Sequence, residues 1–400
     1  MSVAENQRQI FLQLVAALQP HWHTDRGLPE RLQRLLARDR RFGSRDRRLY
    51  RELVYTVLRF RPWIEPLIES DPEEAVRMTA WLAADTRDTR AFRQAWLTGW
   101  PDCPPSLADK ARHLGLAERD LLPDWMHEEC PAALTENELE CLHRRAPLWL
   151  RLQTDAPDAV WAEFGGHDWA YEPSSVLSGA VRLPAEAGAA ATNSYFYGAF
   201  EVQDLGSQLV LAAHDIRPGE HWLDACAGAG GKSLQLARMV GANGHITATD
   251  PRIEALAELK TRAHRAGLTN LTAAPKFPDA NYDGVLIDAP CSGTGTWRRN
   301  PHLKWCTTPE SLRQQAERQF EILQAHAPAV RPGGRLIYAT CSLNRTENEA
   351  VISRFLTLHP EFSAVPPIRN FGFTATPAGL TIMPARHDTD GFFTSCLQRA

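Results

Sequence analysis

Four apolar runs in the second half of the chain each lead into a side chain that can do chemistry. These side chains are Asp224, Asp250, Asp288 and Cys341. Short apolar runs bounded by glycine or proline are typical of buried strands. The ligand crevice of an open α/β sheet lies at the carboxyl ends of its strands, so we expect the four ends to meet in one site.

Strand and helix patterns alternate from Phe200 to the end of the sequence. The strand patterns cover residues 221–226, 245–249, 282–287 and 336–339, and the helix patterns cover 208–214, 234–240, 253–266 and 308–327. Such alternation predicts an α/β domain with a doubly wound parallel sheet. Short apolar runs near Thr381 and Phe392 are expected to add edge strands to it.

The first part of the chain has a different pattern. From about Asn6 to Arg144, apolar residues recur every three or four positions, as in amphipathic helices. Two strand-like runs follow, and residues 184–191 are interpreted as a flexible connector. We therefore expect an all-α domain at 1–144, a small α/β bridging segment at 145–197 and the α/β catalytic domain at 198–400.

Positive charge is concentrated in one stretch of the all-α domain. The formal net charge of the chain is -4, but Arg26 to Arg61 contains twelve arginines, no lysine and four acidic residues, a net charge of +8. The planar guanidinium group suits phosphate oxygens. The alternative is a solvated helix face on which Asp39 and Asp46 pair with neighbouring arginines. The excess charge favours RNA contact, and the candidate residues are Arg40, Arg41, Arg45, Arg47 and Arg48.

Composition and cysteine usage set the broad class. With 44% hydrophobic and 23% charged residues, the chain is ordinary for a globular protein. No run approaches the roughly 18 apolar residues of a membrane span, and no secretory leader pattern is present, so we expect a cytoplasmic protein with no membrane partner. The eight cysteines include no C-x-x-C pair, which argues against a disulfide framework.

A glycine-rich loop, Cys226–Ser233, lies between a predicted strand and a predicted helix. Glycines there let main-chain N–H groups approach a ligand closely. A P-loop needs glycine where Cys226 stands, and a dinucleotide motif needs glycine where Ser233 stands. The remaining candidate is S-adenosylmethionine, whose ribose diol is expected to bind an acid at the end of the next strand, Asp250.

Two cysteines, Cys291 and Cys341, follow what we expect to be neighbouring strands. A zinc site with His302 and Cys306 is one alternative, but the spacing matches no common structural site, so no metal is expected. Nucleophilic catalysis explains the arrangement better, because a thiolate that adds to C6 of a pyrimidine makes C5 nucleophilic toward a sulfonium methyl. A second thiol can then assist proton removal. Asp288, protonated or sharing a proton with the ring, can stabilise charge at N3.

Four motifs resemble those of the RNA cytosine-5 methyltransferases of the Sun/Nop2 family. They are Asp224–Ser233, Asp288–Gly295, Trp297–Trp305 and Ala339–Ser342. The segment from Gly198 to Gln208 is similar to the element that precedes the cofactor loop in that family. The helical first part resembles, in outline, the NusB-type RNA-binding domain of the bacterial ribosomal RNA member.

The resemblance implies roles for individual residues. Cys341 would be the nucleophile, and Cys291 would help release the methylated base. Asp288 would contact the target cytosine or lie beside the cofactor, and Asp250 would bind the ribose. The residues lining the methionine moiety would be Cys226, Ala227, Gly228, Ala229, Gly230, Gly231 and Lys232. Further candidate RNA contacts in the third motif are Arg298, Arg299 and Lys304.

One segment departs from the family pattern. The family commonly has an acidic residue near the cofactor adenine after the third strand, and Leu271–Phe277 contains none. Either Asp279 takes its place or cofactor binding is weaker.

Together these observations predict an S-adenosylmethionine-dependent methyltransferase that modifies C5 of a cytosine in RNA, with ribosomal RNA as the expected substrate and the base flipped into the site. Two alternatives stay open. One is a ribosome-assembly factor that keeps the fold but is catalytically weak, and the other is a DNA methylase. The sequence does not predict the oligomeric state.

Overall fold

The computed structural model describes residues 2–276 and 281–400. The helices are α1 Val3–Leu18, α2 Leu28–Arg38, α3 Ser44–Arg59, α4 Arg61–Ser70, α5 Pro72–Leu82, α6 Arg90–Trp96, α7 Leu107–Leu114, α8 Met126–Glu129, α9 Glu136–His143, α10 Asp158–Gly166, α11 Asn193–Phe196, α12 Leu205–Ala212, α13 Gly231–Val240, α14 Ile253–Arg265, α15 Leu303–Cys306, α16 Pro309–His326, α17 Glu349–Leu358 and α18 Pro384–His387. The strands are β1 Leu148–Leu152, β2 Glu172–Pro173, β3 Ala180–Leu183, β4 Phe200–Val202, β5 His221–Asp224, β6 His245–Ala248, β7 Leu271–Ala273, β8 Tyr282–Asp288, β9 Val330–Thr340, β10 Phe362–Val365, β11 Ala375–Thr376, β12 Gly379–Ile382 and β13 Phe392–Arg399.

The chain forms two compact units. The first, called the helical unit, is Met1–Arg145 together with Trp297–Thr308, and the second, called the sheet unit, is Ala146–Thr296 together with Pro309–Ala400. Residues 146–197 therefore pack with the following residues of the sheet unit. No helix within the described residues is both long and apolar enough to cross a membrane.

The helical unit contains α1 to α9, as the apolar periodicity predicts. Helix α3 carries the arginine-rich sequence on its exposed side and buries Leu53, Val54 and Val57. Gly43 caps this helix, because the Asp46 carboxylate accepts a hydrogen bond from the Gly43 N–H at 3.0 Å. The all-α content is compatible with a NusB-type domain, and that finer assignment stays a prediction.

Residues Trp297–Thr308 complete the core of the helical unit. Trp297 is 1% exposed, and its ring meets the Trp125 ring edge-on with 6.0 Å between centroids. Trp305 donates its indole N–H to the main-chain oxygen of Leu58 at 2.9 Å. A segment that follows the Asp288–Gly295 motif in sequence is thus part of the other unit's packing.

The structure places two predicted RNA contacts inside this packing. Lys304 is 2% exposed, and its Nζ donates to the main-chain oxygens of Arg59 at 2.9 Å and Leu121 at 3.0 Å. Burial lowers the pKa of Lys304 well below its usual range. Arg298 is 1% exposed. Both side chains are therefore structural and do not face RNA here, contrary to the prediction from the sequence, whereas Arg299 is half-buried.

The sheet unit contains two sheets among its described residues. The smaller one is antiparallel, with strand order β2-β3-β1-β4. The larger one has the order β11-β12-β13-β9-β8-β5-β6-β7, with β10 also paired to β13. Strands β5 to β9 pair in parallel, and the strands beyond β9 pair antiparallel. The centre of the larger sheet is thus the parallel sheet predicted from the alternating pattern.

Two expectations from the sequence are corrected in this unit. Strand β13 is an inner strand rather than an edge, because β9 pairs with it on one side and β10 and β12 pair with it on the other. Residues 184–191 are not a loose connector, because Ala187 and Ala189 are buried in the core of the smaller sheet. An alanine-rich stretch such as 184–191 is typical of a flexible linker, but here the small alanine side chains fit a packed interior.

We expect Trp297→Ala to destabilise the helical unit selectively, although Trp297 begins one of the four motifs that resemble those of the methyltransferase family. Loss of a fully buried tryptophan costs about 3–5 kcal/mol. Hydrogen exchange should therefore become faster in α3 and α4 while cofactor affinity is retained. Arg313→Ala, at an exposed position just after the segment, is the control. Faster exchange confined to α13 and α16 would contradict the assignment.

Candidate active site

A cavity of about 1130 Å³ opens beyond the parallel strands of the sheet unit. The ends of β5, β6 and β8 contribute to its lining, which confirms three of the four strand ends predicted to share one site. The described lining residues do not include Cys341, which follows β9, or Cys291. Helix α16 forms another side with Arg318, Glu321, Ile322 and His326. Ligand pockets commonly measure roughly 300–1,000 Å³, so this cavity has room for a small-molecule ligand.

The glycine-rich loop forms one wall of the cavity between β5 and α13. Gly228 has φ 53° and Gly230 has φ 88°, a left-handed conformation that favours glycine. A Cβ atom on Gly230 would lie 2.6 Å from the Leu259 side chain, so close packing also requires glycine there. The predicted residues from Cys226 to Lys232 line the cavity except Gly230, whose position is structural.

Asp250 lies at the end of β6 and points toward this loop. Its Oδ2 accepts the Gly228 N–H at 2.9 Å, and its two oxygens bind the Arg252 guanidinium at 2.9 Å each. The hydrogen bonds from Arg252 lower the pKa of Asp250. Asp250 is thus held as a carboxylate, which is the form that accepts hydrogen bonds from a ribose diol.

Asp288 ends β8 and pairs with the lysine of the glycine-rich loop. Lys232 Nζ lies 2.9 Å from Asp288 Oδ2 and 5.0 Å from the centroid of the Phe392 ring. Lys232 is 7% exposed, whereas the Asp288 side chain is 31% exposed. Both side chains line the cavity, and the carboxylate is the more exposed of the two.

Asp224 and Cys226 have structural roles. Burial raises the pKa of Asp224 to about 7, and its Oδ2 accepts the Ser233 hydroxyl at 2.6 Å, which fixes the first turn of α13. Burial also raises the pKa of Cys226 to about 12, so this thiol stays protonated and lines the cavity without acting as a nucleophile.

The sulfur atoms of Cys291 and Cys341 are 3.3 Å apart. Each cysteine lies in the loop that follows its strand, β8 or β9, and Pro290, the neighbour of Cys291, lines the cavity. The hydrogen bond with Cys341, followed by burial, raises the pKa of Cys291 well above its usual range. Cys291 thus keeps its proton and can donate it toward the Cys341 sulfur.

Sequence reasoning missed Glu347, which is fully buried in this part of the sheet unit. Its carboxylate accepts hydrogen bonds from Ser292 and Ser342, the residues that directly follow the two cysteines. The only sequence signal is an acidic residue six positions after Cys341, within the polar run 344–349.

The arginine-rich surface belongs to the helical unit. All five candidate arginines from Arg40 to Arg48 are exposed. Arg41 pairs with Asp39 at 2.7 Å and Arg48 with Asp88 at 2.6 Å. Within the described residues no ion pair involves Arg40, Arg45 or Arg47. Some arginines on this surface thus pair locally, as expected of a solvated helix face. Others form no ion pair within the described residues, as expected of a surface that contacts RNA.

The residues weighed as zinc ligands make other contacts. His302 Nε2 lies 3.1 Å from the main-chain oxygen of Arg26, and the Cys306 thiol donates to the oxygen of Trp22 at 3.2 Å. In the described ranges, no group of three or more His, Cys, Asp and Glu side chains is arranged to hold a metal ion. Asp279, weighed as the adenine-side acid, lies outside the described residues.

Solved structures share this fold. The protein PH0851 superposes over 100% of both chains with a TM-score of 0.74 and 21% sequence identity. NSun6 from Pyrococcus horikoshii with SFG gives a TM-score of 0.60 at 16% identity, covering 69% of this chain and 98% of that one. The methyltransferase homolog protein from the same organism gives 0.59 at 22% identity, covering 73% and 98%. At these identities the likeness shows the fold alone.

Sequence relatives point to one family. The chain is 36% identical over 226 residues to the "Probable ribosomal RNA small subunit methyltransferase B" of Bacillus subtilis (strain 168), covering 52% of this chain and 50% of the relative. It is 31% identical over 285 residues to the ribosomal RNA small subunit methyltransferase B of Yersinia pestis bv. Antiqua (strain Angola), covering 68% and 65%. The chain thus spans about half to two thirds of the curated relatives it matches.

A family model narrows the match to the part that carries the site. Residues 210–398 match the model described as 16S rRNA methyltransferase RsmB/F. This range contains the glycine-rich loop, Asp250, Asp288 and both thiols. The resemblance stated from the motifs is confirmed, and the predicted cofactor, S-adenosylmethionine, agrees with these findings. Residues 210–398 thus form a domain that matches the 16S rRNA methyltransferase RsmB/F family model.

Proposed function

We propose that the protein methylates C5 of a cytosine in small-subunit ribosomal RNA through a covalent bond between Cys341 and C6 of the base. The observation that supports this most directly is the 3.3 Å separation of the two sulfurs, beside a cavity that fits the cofactor. The names of the sequence relatives support ribosomal RNA as the substrate. The chemistry of the paired thiols supports C5 of a pyrimidine, and the resemblance of the four motifs to RNA cytosine-5 methyltransferases supports cytosine.

We assign cofactor binding to residues that line the cavity. Asp250 would accept hydrogen bonds from the ribose diol, and the glycine-rich loop would contact the methionine moiety. The Arg252 guanidinium, which is 68% exposed, can move aside when the diol takes its place. When bound, S-adenosylmethionine supplies an electrophilic sulfonium methyl group.

The two thiols have different roles in the methylation of the base. Cys341, as a thiolate, attacks C6, and Asp288 with its Lys232 partner supports the charge that develops at N3. The electron pair of the C5–C6 double bond then becomes available at C5 for the methyl group. The Cys291 sulfur then takes the C5 proton, which returns that pair and breaks the C6–S bond. Cys291 would pass its own proton to the departing Cys341 sulfur, 3.3 Å away, as it takes the C5 proton, so both thiols end protonated and Cys341 loses a proton to solvent before the next cycle.

We expect Cys291→Ala to accumulate a protein–RNA adduct, because release would fail after Cys341 has attacked. The measurement is a denaturing gel after incubation with S-adenosylmethionine and under-methylated ribosomal RNA. The double variant Cys291→Ala/Cys341→Ala is the control and should give no adduct. An adduct in Cys341→Ala but not in Cys291→Ala would show that the roles are exchanged.

We expect Asp250→Asn to weaken S-adenosylmethionine binding by about ten- to a hundred-fold, because a hydrogen bond to a charged acceptor contributes about 1.5–3 kcal/mol. Isothermal titration calorimetry measures the effect. The matched control is Asp215→Asn, an exposed acid of the same unit that pairs with Arg217. An unchanged Kd in Asp250→Asn would remove Asp250 from the cofactor site.

We expect Arg45→Ala/Arg47→Ala to weaken RNA binding about equally for different RNA sequences and to lower the salt dependence of log K by roughly one to two units, since each phosphate contact contributes close to one. Arg41→Ala should have a smaller effect because Asp39 already neutralises that side chain. Filter binding at several salt concentrations measures both. Equal slopes for wild type and the double variant would exclude this surface as a phosphate contact.

A further inference from the structure

The carboxylate of Glu347 is a point on which two separate loops converge. On the side of β8, Oε1 accepts the Ser292 N–H at 2.8 Å, and Oε2 accepts the Ser292 hydroxyl. Ser292 directly follows Cys291. The position of one thiol is thus tied to this carboxylate through a single peptide bond.

The loop after β9 binds the same oxygen. Oε2 accepts the Ser342 hydroxyl at 2.6 Å and the Asn344 side-chain amide at 3.2 Å. Ser342 directly follows Cys341. Both thiol-bearing residues therefore have neighbours that donate to one carboxylate, and the Ser292 hydroxyl also lies 3.4 Å from the Ser342 hydroxyl.

A third element supports the carboxylate from the side of α16. The Gln319 amide donates to Glu347 Oε1 and to the main-chain oxygen of Pro290, at 3.0 Å each. Tyr338 donates its hydroxyl to the Glu347 main-chain oxygen at 2.6 Å and to Gln319 Oε1 at 3.0 Å. All of these side chains are buried. The arrangement leaves the carboxylate little freedom to move.

We propose that Glu347 is a positioning residue that clamps the Cys291 and Cys341 loops and so sets the separation of the two sulfurs. Five donors from Ser292, Ser342, Asn344 and Gln319 converge on an acceptor-only group, which indicates its ionised form. The importance of the separation for catalysis rests on the two-thiol mechanism proposed above, but the clamp itself does not.

The charge of Glu347 adds an electrostatic effect to the geometric one. The pKa of Cys291 is raised first by its hydrogen bond with Cys341 and by burial, and the negative charge of Glu347 raises it further. The clamp therefore also helps to keep the proton on Cys291. Glu347 touches neither base nor cofactor in this account, and it acts through the two loops.

The test is Glu347→Gln, read out in two ways. The amide keeps the shape but sets an NH2 group against converging donors, so the loops should separate. Loss of the Glu347 charge by itself would favour the Cys291 thiolate and speed oxidation. The separation of the loops outweighs this, so the rate at which diamide oxidises Cys291 and Cys341 to a disulfide, with two electrons and two protons passing to diamide, should still fall about ten-fold. The disulfide is quantified by mass spectrometry of the linked peptides. On RNA, kcat should fall about ten- to a hundred-fold with KM for S-adenosylmethionine unchanged.

The control is Glu317→Gln, an exposed acid on α16 that pairs with Arg354, and it should behave as wild type. If Glu347→Gln does not fold, Ser292→Ala and Ser342→Ala each remove one side-chain donor and should lower both rates in the same direction. A folded Glu347→Gln protein that forms the Cys291–Cys341 disulfide at the wild-type rate would overturn the clamp. A loss of S-adenosylmethionine affinity as large as the loss of kcat would also overturn it. Failure of wild-type protein to methylate RNA would refute the proposed function, while the oxidation rates would still test the clamp.

Discussion

The site depends on the parallel pairing of β8 with β9. This register sets Asp288 opposite Ala339, so the two chains leave the sheet side by side and in the same direction. Cys291 follows three residues after Asp288 and Cys341 two residues after Ala339, which is why their sulfurs can meet. The loops are also joined by a hydrogen bond from the Gly295 N–H to the Cys341 oxygen at 2.9 Å. A shift of this register by one residue would turn the side chains to the other face of the sheet.

The sequence was informative wherever the signal is local. A strand that ends in an acid and a glycine-rich turn before a helix are short patterns, and both predicted where Asp250 and the cofactor loop lie. The parallel centre of the sheet followed from the alternation of strands and helices for the same reason. The inner position of β13 did not, because it depends on pairing with β9, more than fifty residues earlier in the chain.

Buried polar residues were the main source of error. Lys304 and Arg298 are cationic residues within a motif. Their charge predicts a position at the surface, because burying a cation without partners costs free energy. Here main-chain oxygens of Arg59 and Leu121 supply the partners of Lys304. Glu347 was overlooked for the same reason, because its donors come from four positions spread over residues 292–344. The structural roles of such residues depend on contacts between positions that are far apart in the chain, and a short stretch of sequence does not contain them.

The passage of residues 297–308 into the helical unit affects the order in which the protein can form during synthesis. Residues 1–145 emerge first, yet the core that holds Trp297 and Lys304 is complete only when Thr308 has been made, 163 residues later. At translation rates of about 5–20 residues per second, this interval is roughly 10–30 s. The nascent helical unit would spend that time without the residues that complete its core.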